Sequence, residues 1–338
     1  MRRIYVALAA ALVVGMLPLA TSAGAVDRSD ARSERAVSKQ VRQPAKAVKR
    51  YWTKERMRTA IPLDLTLAGS AQQQSQDAAA TSQGRPGSYA PTAPVARPAR
   101  AAGASQELGP YPYYRYEVTA PYTSYPYSTH GKVFFSSGGL NYVCSGTAIN
   151  AENKSVVWTA GHCVHGGGAG QTWHSNWAFV PAYKDGSRPF GTWSARELWS
   201  LNGWIYNADL TYDLGAAVVY TNAWGQRLVD VVGGRGITWN QSRNQYFYSH
   251  GYPAGWPFNG ERLIICESWF AANDFPGSGP ATMAIGCDMT GGSSGGGWIV
   301  NGYTHSVNSY KYNNQPEVMY GPYHGDGAAN LFNSVRNR

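Results

Sequence analysis

The chain has 338 residues, of which 43% are hydrophobic and only 14% charged, and its mean hydropathy is −0.36; a buried core is affordable and a polytopic membrane protein is excluded. The formal charge of +9 resides in residues 1–107, where 16 Lys and Arg face 7 Asp and Glu, whereas residues 108–338 hold 13 of each. Composition therefore gives the larger part no nucleic-acid-binding character.

Met1–Arg3 is a short basic start, Ile4 to Ala20 is apolar, and Ala23-Gly24-Ala25 offers a small-residue cleavage point. That sequence of features predicts a signal peptide over 1–25, an exported product, and no stable membrane association once the peptide is removed. Residues 26–119 read as a pro-segment and linker. Their Lys/Arg content, the Gln72-Gln73-Gln74 run and the Ala/Pro/Ser/Gly stretch from Ala78 to Ala104 predict a largely disordered chain, because little apolar surface is on offer to offset conformational entropy. One island stands apart, Tyr51 to Arg58, where Thr53 can cap a short helix starting at Lys54 and dock it elsewhere.

From about Gly109 the composition changes. All seven His, all four Cys and 11 of the 12 Trp lie beyond Leu108. Short runs rich in Val, Ile, Tyr, Trp and Thr recur between turn residues, among them Lys132–Phe135, Tyr142–Ile149, Ser155–Thr159, Ala216–Tyr220 and Thr304–Ser309. They predict an all-β unit, sandwich or barrel, with one convincing helix at Ala328–Val335, whose Leu331, Phe332 and Val335 share a face. The four cysteines in an exported chain favour disulfides. Of three connectivities, the favoured local one, Cys144–Cys163 with Cys266–Cys287, closes two short loops, each stabilising by roughly 3 kcal/mol on loop entropy.

Three segments carry chemistry. A strand ends at Thr159-Ala160-Gly161-His162-Cys163, setting an imidazole beside a cysteine that can be tied back to Cys144. Asp213 enters the apolar run Leu214–Val219, where a half-buried carboxylate needs a partner such as an imidazole N–H. Gly291-Gly292-Ser293-Ser294-Gly295-Gly296-Gly297 lets the backbone turn tightly and aim amides at the point where a serine hydroxyl projects. The order His, Asp, Ser is one of the known arrangements of a nucleophilic triad.

These motifs, with Tyr127 to Phe135 leading to Cys144-Ser145-Gly146-Thr147, resemble the chymotrypsin-like (trypsin-fold) serine peptidases, and in particular the bacterial branch that includes V8-type glutamyl endopeptidases. The resemblance covers roughly residues 120–338. It implies two antiparallel β-barrels with a C-terminal helix, the first over 120–228 and the second over 229–338. It further implies a secreted, monomeric serine endopeptidase that acts on polypeptides and needs no cofactor. Ser294 would be the nucleophile with Ser293 as its rival, His162 the general base, and Asp213 its orienting partner with Asp209 as its rival. Gly292 and Ser294 would supply the oxyanion amides. Ser293 stands where the animal enzymes carry the Asp that pairs with a new N-terminus, so the pro-segment is expected to block the cleft or assist folding instead. For specificity the family pattern points two ways: Asp288 towards basic residues, Thr290 with His305 towards acidic ones. Two other readings compete. One is a peptidase fold serving as a binding module for protein or glycan, given the aromatic content. The other is an α/β-hydrolase using Ser294, Glu317 and His324, which the lack of α/β alternation disfavours.

Overall fold

The computed structural model describes residues 28–69, 71, 84–92, 105–107 and 110–338. The signal peptide read over 1–25 and the low-complexity stretches at 72–83 and 93–104 lie outside the described residues. The architecture is all-β, as the patterning predicts. The N-terminal segment supplies strands β1 (Ala36–Gln40), β2 (Ile61–Pro62), β3 (Thr66–Leu67), β4 (Gly87–Tyr89) and β5 (Ser105–Glu107), followed by β6 (Tyr113–Glu117). Next come β7 (His130–Ser137), β8 (Leu140–Ile149), β9 (Val156–Thr159), β10 (Ser175–Pro181), β11 (Trp193–Leu201) and β12 (Gly215–Val219). These six pair antiparallel around a closed ring, β7-β8-β9-β12-β11-β10 and back to β7.

The second half contributes β13 (Gly236–Trp239), β14 (Tyr246–Gly251), β15 (Ile264–Asp274), β16 (Thr282–Gly286), β17 (Gly297–Val300), β18 (Tyr303–Val307), β19 (Lys311–Tyr312) and β20 (Val318–Gly321). They form a second sheet in the order β20-β16-β15-β14-β17-β18-β13-β4, while β19 pairs with β3. The C-terminal helix, Asp326–Val335, starts two residues before the predicted Ala328. Its fully buried Ala328, Leu331, Phe332 and Val335, spaced as one helical face, pack into the core of the first barrel. Both disulfides have the local connectivity, Cys144–Cys163 and Cys266–Cys287.

Two segments depart from the sequence reading. Tyr113–Glu117, read as linker, is β6 of the second sheet and runs antiparallel to β15, from Ser268↔Tyr113 to Ile264↔Glu117. Its tyrosines bury Tyr113 in one cluster and Tyr116 in another, a pattern masked by the uniform run of aromatics. The second departure is residues 28–69, expected to be largely disordered, which form docked helices and strands. The physical reason lies on β7. Val133 and Phe135 face the barrel interior, so by the two-residue period Phe134 faces out. With Val143, Ala178 and Val180 it makes an apolar outer face, and Val48, Trp52 and Met57 cover it. A few well-placed anchors suffice where a finished apolar wall already waits. The predicted helix of the island is present at Lys54–Arg58, and the Thr53 side chain accepts from the Arg56 amide.

The buried histidines set a pH dependence. Burial holds His250 and His324 down to about 3 and His174 and His305 down to about 4. Each is neutral in the fold near pH 5 but protonated in the unfolded chain below its ordinary value of 6.5, so the unfolded state binds more protons. Stability is therefore intact above pH 6.5 and declines as pH falls from there towards 4, at a limit of about 1.4 kcal/mol per pH unit for each histidine. The urea midpoint is expected to drop steadily between pH 7 and pH 4.5; a midpoint that stays level would contradict neutral burial.

Candidate active site

The outer edge of the first barrel presents the imidazole. β9 is buried along its whole length and ends at Thr159; a single 3-10 turn, Gly161–Cys163, then sets His162 at the rim. Gly161 is required there, since a Cβ would lie 2.8 Å from the Trp204 ring and 2.9 Å from Asp213 Oδ1. The Cys144–Cys163 bridge pins the turn to β8. Asp213 follows the 3-10 turn Leu210–Tyr212 and is wholly buried. Its Oδ1 accepts the His162 backbone N–H at 2.7 Å, and its Oδ2 lies 2.7 Å from His162 Nδ1. Ser309 Oγ donates to the same Oδ2 at 2.5 Å.

A buried carboxylate so supplied with donors holds the ring. Because the carboxylate only accepts, Nδ1 carries the proton and Nε2 keeps a lone pair. Nε2 is buried and has no hydrogen-bond partner among the described residues. Trp204 stands edge-on to the ring at 6.2 Å, and its own Nε1 donates to His165 O. His174, held neutral by burial, donates Nε2–H to the His162 carbonyl at 2.9 Å.

The second half brings the glycine-rich loop. Gly292 (φ +93°) and Gly295 (φ +80°) adopt backbone that favours glycine, and a Cβ on Gly295 would fall 2.0 Å from Thr159 Oγ1. The Ser294 carbonyl accepts the Ser145 amide at 2.7 Å and lies 3.6 Å from Cys163 Sγ, so the loop abuts the His162 turn. Ser145 Oγ donates to the Gly292 carbonyl at 2.9 Å. Ser293 turns its hydroxyl into the loop, donating to Thr290 O at 2.8 Å, whereas the Ser294 hydroxyl enters no hydrogen bond among the described residues. The amide of Gly292 points out of the loop and donates to Leu63 O at 3.0 Å.

The predicted residues thus separate into two groups. His162 and Asp213 are hydrogen-bonded to each other, and the loop that carries Gly292 and Ser294 abuts the His162 turn. Asp209 does not join them: it caps the 3-10 turn through Thr211 and ties Ser278 by both N–H and hydroxyl. Thr290 Oγ1 is bound to Gly255 N and O, while His305 lies against Phe247 in a cleft shared with Gln241 and Gln245. Asp288 is ion-paired with Arg115 of β6. His324 accepts from Trp158 Nε1 inside the core. Sequence reading passed over Ser309 as a carboxylate partner. It also passed over Lys311, whose buried Nζ donates to Cys287 O at 2.8 Å and to Pro316 O, and whose burial brings it down to about 7.

The chain is similar to two solved proteases over nearly their whole length. Protease Anisep from Arthrobacter nicotinovorans is 43% identical, with 62% of this chain and 96% of that one covered at a TM-score of 0.58. The thermostable serine protease AL20 from an extremophilic microorganism is 40% identical, with 62% and 97% covered at 0.58. A Glu endopeptidase, 20% identical with 66% and 97% covered at 0.51, shares the fold. A curated relative, the extracellular metalloprotease of Bacillus subtilis (strain 168), is 33% identical over 96 residues, a stretch that spans 28% of this chain and 29% of that protein. No family model matches. The metal in that relative's name finds no fitting donor set here: among the described residues the candidate cluster is Cys144, His162 and Cys163, and both sulfurs are consumed in a disulfide.

Proposed function

Because the chain belongs to the chymotrypsin-like serine proteases, we propose that His162, Asp213 and Ser294 form its catalytic triad and that it is secreted as a precursor. A signal peptide over 1–25 and a pro-segment and linker that end before β6 at Tyr113 would precede a monomeric two-barrel enzyme, with the first barrel over 120–228 and the second over 229–338 joined by β6. The chain is a peptidase and its substrates are polypeptides.

The reaction follows from the roles. Ser294 Oγ attacks the scissile carbonyl while His162 Nε2 takes its proton. Asp213 holds the ring in the Nδ1–H tautomer and stabilises the imidazolium. The amides of Gly292 and Ser294 stabilise the oxyanion, each such donor contributing about 3 kcal/mol at the transition state. His162 then passes its proton to the leaving amine, an acyl-enzyme remains, and water repeats the sequence to release the second product.

The observation that supports this reading best is the orientation of one ring: Asp213 binds both the backbone and Nδ1 of His162, which leaves Nε2 of that ring without a partner among the described residues, in a turn that the Ser294 loop abuts. A fluorophosphonate applied to the secreted, processed protein should label Ser294, the serine oxygen displacing fluoride, with Ser293 unmodified in the peptide map. No label at Ser294, together with measurable glycan binding, would favour the binding-module alternative.

A further inference from the structure

The N-terminal segment reaches the glycine-rich loop just described. β2 lies parallel to β8, Ile61 beside Tyr142 and Pro62 beside Val143, and Leu63 N donates to Val143 O at 3.1 Å. The Leu63 carbonyl then accepts the Gly292 amide at 3.0 Å. Beyond it, Leu65 O accepts from Lys311 N at 3.0 Å, β3 runs parallel to β19, and Leu67 O accepts from Asn313 N at 3.0 Å. The seat is close: a Cβ on Gly291 would lie 2.8 Å from Asp64 Cβ and 3.2 Å from Leu63 O.

We propose that residues 61–67 are a built-in inhibitor strand that fills the substrate cleft with its chain direction opposite to that of a cleavable peptide; this rests on the triad reading above. The direction follows from where the proton must go. His162 protonates the departing amine, and the Cys144–Cys163 bridge ties His162 to β8. The part of a substrate that follows the cut therefore lies along β8, and the part that precedes it lies along the Ser309–Tyr312 wall. The strap does the reverse. Ile61 and Pro62, which precede the Leu63 carbonyl, lie on β8, and Leu65 to Leu67, which follow it, lie on β19. The Leu63 carbonyl takes up an oxyanion amide, but the Asp64 nitrogen heads for the wall away from His162. Any adduct formed by Ser294 at that carbonyl would return to the intact peptide, because its amine has no proton donor with which to leave.

The strap is held in place on both sides. Upstream, Trp52 and Met57 are buried against Phe134 and Val180, with Trp52 Nε1 donating to Asn176 O at 2.6 Å. Downstream, Leu65 and Leu67 are partly buried against Tyr310, Tyr312 and Tyr320. Tethering keeps the inhibitor at an effective concentration of about millimolar beside its own cleft.

The test uses the intact full chain, its mass confirmed before each assay, beside the double variant Leu65→Asp/Leu67→Asp, which loosens the strap at its partly buried end without entering either barrel core. Fluorophosphonate labelling of Ser294 and hydrolysis of an unfolded protein are expected to be at least tenfold faster in the variant, with the Leu63–Asp64 bond intact in the wild-type chain. Equal, rapid labelling of both chains would overturn the inhibitor strand and leave the triad standing. Cleavage after Leu63 would overturn the reversed direction. No labelling and no turnover in either chain would remove the triad reading, and the strap with it.

Discussion

Ser294→Ala is expected to lower kcat by about a million-fold, the loss seen when the serine of such a unit is removed. The residue left behind has no oxygen for His162 to activate, and only binding and the oxyanion amides remain to accelerate hydrolysis. The fold should tolerate the change, with stability altered by about 0.5 kcal/mol or less, because the Ser294 hydroxyl enters no hydrogen bond among the described residues. Ser293→Ala serves as the counterpart: its hydroxyl holds Thr290 O, so its loss perturbs the loop and leaves the nucleophile in place. Single-turnover kinetics on both variants, with circular dichroism to confirm folding, decides between them. Near-normal turnover by Ser294→Ala and a dead Ser293→Ala would reverse the assignment.

The second large effect belongs to Asp213→Asn, for which kcat is expected to fall about ten-thousand-fold, or about 5.5 kcal/mol at the transition state. The asparagine oxygen can still accept the His162 amide, as Oδ1 of Asp213 does. Its NH2 would then face Nδ1 and Ser309 Oγ, where Oδ2 now accepts from both sides. An NH2 donor at Nδ1 forces the proton onto Nε2, so the ring can no longer take one from Ser294. Asp209→Asn should instead change loop stability, since that carboxylate serves Thr211 and Ser278. Steady-state kinetics that found Asp213→Asn within tenfold of wild type would remove Asp213 from the proposed triad.

What the sequence revealed and concealed follows from the range of the interactions. The His162 turn, the Asp213 strand entry and the serine loop are local: a few consecutive residues fix backbone and chemistry together, and the two disulfides close short loops. Ser309 contacts Asp213 across 96 positions, and nothing in its neighbours announces the bond. Asp288 had the spacing of a pocket residue, but its environment is set by Arg115 on β6, a strand that local pattern had assigned to a linker. The docking of residues 28–69 was hidden for a related reason. Hydrophobic periodicity reports how a segment buries itself, whereas Trp52 and Met57 are buried by a wall built from other strands.

The pairing of β6 with β15 constrains maturation. Tyr113–Glu117 belongs to the second barrel, whereas the strap ends at Leu67, so a scission that separates inhibitor from enzyme has the interval between these two points in which to fall. Processing beyond Glu117 would strip a neighbour from Ile264–Ser268 and take Arg115 from Asp288, leaving an open sheet edge as the new surface. The start of an active form is in this sense bounded by the barrel itself, whatever the sequence preference of the protease that cuts.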